Sequence, residues 1–175
     1  MNRLLQELQK ILSKNDACVV LRGNEITGAV KIIPGRNIVS DAGDVWYAQV
    51  ACGQVPTNTF ANLYLATAGP VTPTKGDNYS DFTVVAGSSK AKTAGYPQSP
   101  DADADNTGDG NDVVSWKFEY TTSDGPFTAI THSFIAAAGA SGIDPILNSY
   151  KWGAPWDKDA STSAKIFANH TMNGV

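Results

Sequence analysis

Hydrophobic and polar residues alternate most regularly in the string VVSWKFEY, residues 113–120. Val114, Trp116, Phe118 and Tyr120 fall on one face of an extended chain, and the residues between them fall on the other. A period of two is expected of a strand with one buried face and one wet face. The pattern therefore predicts a strand that buries its aromatic side chains.

Short apolar runs separated by Gly, Pro, Asn and Asp continue this pattern through most of the chain. They predict strands at residues 18–22, 29–33, 45–52, 63–66, 82–86, 113–121, 127–135 and 164–172. Short strands between tight turns are typical of a mostly β chain, here a single antiparallel β-sandwich or jelly-roll-like domain. A short helical turn is predicted at residues 145–150, with Asp144 as its N-cap and Pro145 as its first residue.

The first fourteen residues, MNRLLQELQKILSK, show a helical period instead. The apolar stripe of the predicted amphipathic helix consists of Leu4, Leu5, Leu8, Ile11 and Leu12. A lone helix of this length is marginal in water, so the stripe must be buried against the chain's own sheet or on a neighbouring subunit. We expect an N-terminal helix or arm over residues 1–15 and a β-sandwich domain over residues 16–175.

The amino-acid composition of the chain argues against nucleic acids and membranes as its partners. The 175 residues suffice for one well-filled core, and only 17% of them are charged. A net charge of −4 opposes nucleic-acid binding. No apolar run is long enough to span a membrane and no signal-peptide pattern is present, so we expect a chain that is made in the cytoplasm. Cys18 and Cys52 each lie in an apolar run, which predicts two buried thiols.

Two long stretches, residues 87–112 and 139–159, are rich in turn residues and predict loops that are functional or covered by a partner. The second contains Trp152 and Trp156 beside glycine and proline. Exposed tryptophans of this kind suit a contact surface, whereas buried ones would close one end of the sandwich. The sequence leaves both interpretations open.

The loop before the aromatic strand carries alternate carboxylates. Asp101, Asp103, Asp105 and Asp112 stand at positions one, three, five and twelve of a calcium-type loop. The sixth position is Asn106 where an EF-hand has glycine, the twelfth is Asp in place of Glu, and the flanks are not predicted as helices. The loop is either a Ca²⁺ site or a solvated acidic turn, and no other cofactor is indicated.

Catalytic motifs are missing from the sequence. His132 and His170 lie in predicted strands, and neither has a Cys, Asp or Glu at the spacing of a metal ligand. This favours histidines that lie in a sheet with their hydrogen bonds satisfied. The string Gly139-Ala-Ser-Gly142 is not a nucleophile elbow, and there is no phosphate-binding loop. We therefore expect no enzymatic activity. A small metal-dependent hydrolase built on the acidic loop is the enzymatic alternative.

Several strings taken in order resemble a known group of proteins. They are VWYAQVACGQVPTNTFANLYLATAGP, KGDNYSDFTVVAGSSKAKTAGYP, the acidic loop with VVSWKFEY, and KIFANHTMNGV. From about Asp44 to its end the chain resembles small virion structural proteins of tailed bacteriophages, especially capsid decoration or cement proteins of β-sandwich type. The resemblance rests on apolar alternation and turn residues and carries over no site residue.

The resemblance implies a non-enzymatic protein of the virion that binds the major capsid protein or other virion proteins. It also implies a homo-oligomer, with a trimer favoured, and neither a membrane nor a nucleic acid as partner. The contact residues expected on this basis are the stripe of residues 4–12 together with Trp152 and Trp156. The alternative within the virion is a tail fibre, adaptor or receptor-binding module, in which the two tryptophans would stack on a glycan.

Overall fold

A computed structural model describes residues 19–24, 30–99 and 113–171. In these ranges the chain is mostly β, with antiparallel pairing throughout. The strands are β1 Val19–Asn24, β2 Val30–Val39, β3 Asn62–Ala68, β4 Thr83–Val84, β5 Lys90–Ala91, β6 Val113–Tyr120, β7 Phe127–Ala136, β8 Ile146–Lys158 and β9 Thr162–Thr171. One α-helix, α1 (Asp41–Ala51), and one 3₁₀ turn, Tyr79–Asp81, complete the described elements.

The strands are hydrogen-bonded in the order β4-β3-β7-β8-β2-β1-β9-β6, and β5 also pairs with β3. Strand β2 belongs to two layers, because residues 30–34 pair with β1 and residues 35–39 pair with β8. We call the layer of β1, β9 and β6 the β6 sheet, and the layer of β8, β7 and β3 the β3 sheet. Their inner faces share one hydrophobic core, as in a β-sandwich.

The aromatic strand behaves as its alternation predicts. Trp116, Phe118 and Tyr120 are buried in the shared core, and Val114 is partly buried against it. Ser115 on the opposite face is also buried, because its backbone pairs with that of Gln98. The segment before residue 100 thus covers part of the outer edge of β6.

A second apolar cluster covers the outer face of the β3 sheet. Its largest members are Tyr64, Phe82, Phe134 and Ile146, with Tyr79 packed against them. The connection from β3 to β4 runs over this face, so the middle of β3 and the second half of β7 are buried on both sides. This explains why their sequences read as apolar runs more than as alternation.

The predicted strand at residues 45–52 is wrong, because most of this segment lies in helix α1. The Ser40 hydroxyl accepts a hydrogen bond from the backbone N–H of Gly43 at 3.0 Å, which caps the helix. Asp41 and Asp44 in the first turn favour the positive end of the helix dipole. Ser40, Asp41 and Asp44 precede the apolar run, and they favour the start of a helix over a strand.

The predicted helical turn at residues 145–150 is also wrong, as is the long loop at 139–159, because β8 occupies most of both segments. The Asp144 carboxylate accepts from the N–H of Ser141 at 2.9 Å, so it closes a turn and caps no helix. The strand that follows has partners on both edges, β7 on one side and β2 on the other. Tertiary pairing here overrides the local helix-start signal.

Candidate interaction surface and buried polar network

Helix α1 lies against the start of β8. The backbone N–H of Ser40 donates to the Leu147 carbonyl at 3.0 Å, and its hydroxyl donates to the Ile146 carbonyl. Gly43 makes the closest approach, because a Cβ at this position would lie 2.1 Å from the Leu147 carbonyl oxygen. Only glycine allows the helix to pack this closely.

A buried network of polar side chains joins the same helix to both sheets. The Tyr47 hydroxyl accepts from Trp116 Nε1 at 2.9 Å and is hydrogen-bonded to His170 Nδ1. On the other side of the imidazole, Nε2 is 2.6 Å from Asn148 Nδ2 and 2.8 Å from the Tyr150 hydroxyl. One ring of β9 thereby connects α1 with strand β8.

The hydrogen bonds of the network determine which ring nitrogen of His170 carries the proton. The Asn148 side-chain oxygen accepts from the N–H of Ile135 at 3.0 Å, so its amide nitrogen must face His170. Nε2 therefore accepts, and we infer that Nδ1 carries the proton and donates to Tyr47. Burial lowers the pKa of His170 to about 3, so the ring is neutral at physiological pH.

This network is suited to holding the fold together more than to catalysis. His170 is 2% exposed and Asn148 and Tyr150 are fully buried, so solvent and substrates do not reach the ring. His132 is held in the same manner, with Nε2 3.1 Å from the Pro70 carbonyl oxygen and Nδ1 2.8 Å from the Thr131 hydroxyl. The prediction that each histidine lies in a sheet with its ring nitrogens hydrogen-bonded is confirmed.

The strand register places several chain segments at one end of the sandwich, which we call the helix end. It consists of helix α1, the connection at residues 52–61 and the turn at residues 137–145. Strands β2 and β7 end there and β3 and β8 start there, as shown by the pairs Val39↔Asn148 and Asn62↔Ala136. The His170–Tyr47 contact places the end of β9 there too.

The helix end carries most of the large exposed hydrophobic side chains of the described residues. Val55 is 92% exposed and Ile143 is 84% exposed, while Val45 and Val50 on α1 are about half exposed. Val71 is 83% exposed but lies away from this end, because its carbonyl accepts from the Lys151 ammonium on the outer face of the β3 sheet. Exposed apolar residues at one end of a domain are a common feature of interaction surfaces, so the helix end is the candidate interaction surface.

The helix end also carries exposed acidic side chains. Asp41, Asp44 and Asp144 are exposed at the helix end, and the nearest basic partner is Lys75, whose ammonium is 2.5 Å from Asp44. Asp44 in turn raises the pKa of Lys75. The helix end therefore presents both apolar and acidic side chains to the outside.

Trp152 and Trp156 are not part of that surface. They are 4% and 2% exposed and belong to the shared core, where their rings pack edge to face with centroids 5.9 Å apart. The expectation of exposed contact tryptophans is corrected, since β8 turns both rings between the sheets. Cys52, predicted to be buried, is exposed at the end of α1.

Other predicted site residues lie outside the described ranges. They are Asp101, Asp103, Asp105 and Asp112 of the calcium-type loop, the stripe Leu4, Leu5, Leu8, Ile11 and Leu12, and Cys18. Among the residues that the structure describes, no group of three His, Cys, Asp or Glu side chains could hold a metal ion.

Val55 and Ile143 are not among the contact residues that the sequence predicts. Each stands alone among turn residues, in GQVPT and SGIDP, and an isolated apolar residue in such a context is the signal that could have identified it.

Comparisons of the chain with protein-family models, with curated proteins and with solved structures found no match. In the described part of the chain, no helix has the length and apolar character needed to cross a membrane.

Proposed function

We propose that the chain is a non-enzymatic structural protein of a tailed-phage virion, a decoration or cement protein that binds the major capsid protein lattice through its helix end. The observation that carries this proposal is the grouping of Val45, Val50, Val55 and Ile143, exposed and apolar, at one end of a well-packed sandwich. The resemblance of the sequence to decoration proteins agrees with it.

The form of this surface suits a lattice more than a small ligand. Its apolar residues project from a helix, a connection and a turn, and the neighbouring polar network is sealed inside the fold. Protein interfaces have an apolar centre and a polar rim, whereas small-molecule sites are concave. A surface of this kind would stabilise a capsid by bridging neighbouring subunits.

Replacing Val55 by aspartate should weaken binding to capsids about tenfold or more, because it places a charge in the apolar centre of the contact. Binding would be measured by co-sedimentation with particles of the encoding phage assembled without this protein. Val71→Asp is the matched control, since Val71 is similarly exposed but lies away from the helix end. Wild-type binding by both variants would reject the helix end as the lattice contact.

A further inference from the structure

Helix α1 is joined to the two sheets by a contact that protonation would break. The hydroxyl of Tyr47, in the middle of α1, is hydrogen-bonded to Nδ1 of His170 and accepts from Trp116 Nε1. We propose that protonation of His170 releases α1 from the sheets while the β-sandwich stays folded. Val45 and Val50 of the helix end lie on α1, so release would also take the candidate interaction surface apart. Only this consequence rests on the proposed function.

The closed arrangement has no acceptor for a second proton on the side of the ring that faces Asn148. Nε2 of His170 is 2.6 Å from Asn148 Nδ2, and the amide is held in this orientation because its oxygen accepts from the N–H of Ile135. A proton on Nε2 would therefore set one N–H donor against another. The ring must then move, and its Nδ1 is bonded to Tyr47 on α1.

Helix α1 is the element that yields at lowest cost. Strand β9 pairs with β1 and β6, and β8 pairs with β2 and β7, so moving either strand would break backbone ladders on both of its edges. The N-terminus of α1 is held by Ser40, whose hydroxyl lies within hydrogen-bonding distance of the Ile146 and Leu147 carbonyls. A free helix of eleven residues is marginal in water, so a released α1 should unwind.

The groups that face the ring supply no negative charge to hold a proton. Its titratable neighbours are the phenols of Tyr47 on α1 and Tyr150 on β8, which stay neutral in acid, and no carboxylate of the described residues contacts it. Burial lowers the pKa of His170 to about 3 in the closed form, whereas a ring that reaches water binds a proton near pH 6.5. The open form thus binds more protons between these values, and its population should rise about tenfold for each pH unit of acidification.

The experiment measures hydrogen exchange of backbone amides by NMR in the free protein at pH 5.5 and 4.5, with each rate divided by the intrinsic rate at that pH. The protection of the α1 amides should fall about tenfold between the two values and should not change in low urea. The amides of Leu63 and Leu65 in β3 should stay better protected, and their protection should fall with urea because they exchange through global unfolding.

Replacing Asn148 by aspartate tests the role of the ring directly. One carboxylate oxygen keeps the bond to the N–H of Ile135, and the other can accept from a protonated Nε2. The protection of the α1 amides should then be constant or should rise over the same pH interval. Asn62→Asp is the matched control, because Asn62 makes an exposed hydrogen bond to the Ser89 hydroxyl, and this variant should keep the wild-type pH dependence.

Two results in the wild type would overturn the proposal, whether or not the Asn148 variant folds. If the α1 amides exchange as slowly as those of β3 and with the same urea dependence, the helix leaves only when the sandwich unfolds. If their protection is the same at both pH values, a proton does not open the contact. An unchanged pH dependence in Asn148→Asp would exclude His170 as the group that responds. No capsid takes part, so this test and the particle-binding test can fail independently.

Discussion

Replacing Gly43 by alanine is expected to separate helix α1 from the β3 sheet and to destabilise the protein by about 4 kcal/mol. The added Cβ would lie 2.1 Å from the Leu147 carbonyl oxygen and 2.8 Å from Val39 Cγ1. The nearest atom belongs to the backbone of a central strand, so the clash cannot be relieved by a side-chain rotation. Moving the helix would also stretch the Tyr47–His170 hydrogen bond.

The measurement is urea unfolding followed by tryptophan fluorescence. Gly76→Ala is the matched control, because a Cβ at Gly76 would meet no atom within 4 Å and its φ is not positive. The control should unfold within about 0.5 kcal/mol of the wild type. An equally small effect of Gly43→Ala would show that α1 does not pack on Leu147 as described.

Acidification is expected to remove stability through His170. Burial lowers its pKa in the folded chain to about 3, whereas the unfolded chain binds the same proton near pH 6.5. Between these values the unfolded state holds more protons, so the free energy of unfolding falls as pH falls. The slope is about 1.4 kcal/mol per pH unit, and the contribution of His170 is fully present only above pH 6.5.

The test compares the free energy of unfolding of the wild type and of His170→Gln between pH 6.5 and 4.5. The variant starts from a lower stability, since it loses contacts to Tyr47 and Asn148, but it lacks the proton-linked slope. Carboxylates titrate in both proteins, so the difference between the two curves isolates the imidazole. Parallel curves would mean that folding leaves the pKa of His170 unchanged and that the buried neutral network is wrong.

The sequence predicted those parts of the fold in which local pattern and tertiary environment agree. The alternation around Trp116 and Phe118 identified β6, because that strand has one face in the core and one face near solvent. The strands predicted at residues 18–22, 29–33 and 164–172 overlap β1, β2 and β9. The mostly β class and the antiparallel sheets are confirmed.

The wrong predictions concern two segments whose secondary structure is decided by contacts with distant parts of the chain. In α1 the capping residue Ser40 lies five residues before the predicted strand, and the helix is held by the carbonyl of Leu147, more than a hundred residues away. In β8, Trp152 precedes Gly153 and Trp156 follows Pro155. Only the pairing of β8 with two strands turns both rings into the core.

The candidate surface was the part least accessible to sequence reasoning. Val55 and Ile143 carry no motif, and their grouping depends on which strands end together. The Tyr47–His170–Asn148 network is similar, because it joins residues from α1, β9 and β8 that share no spacing in the sequence. Such features follow from topology, which local patterns do not encode.

A cryo-electron microscopy map of virions of the encoding phage tests the central proposal most directly. We expect density that fits the sandwich on the outer surface of the head, at symmetric positions, with α1 and Val55 against the major capsid protein. Density located in the tail, or a head without this protein, would contradict the decoration role. Density on the head with the helix end directed away from the capsid would contradict the proposed contact surface.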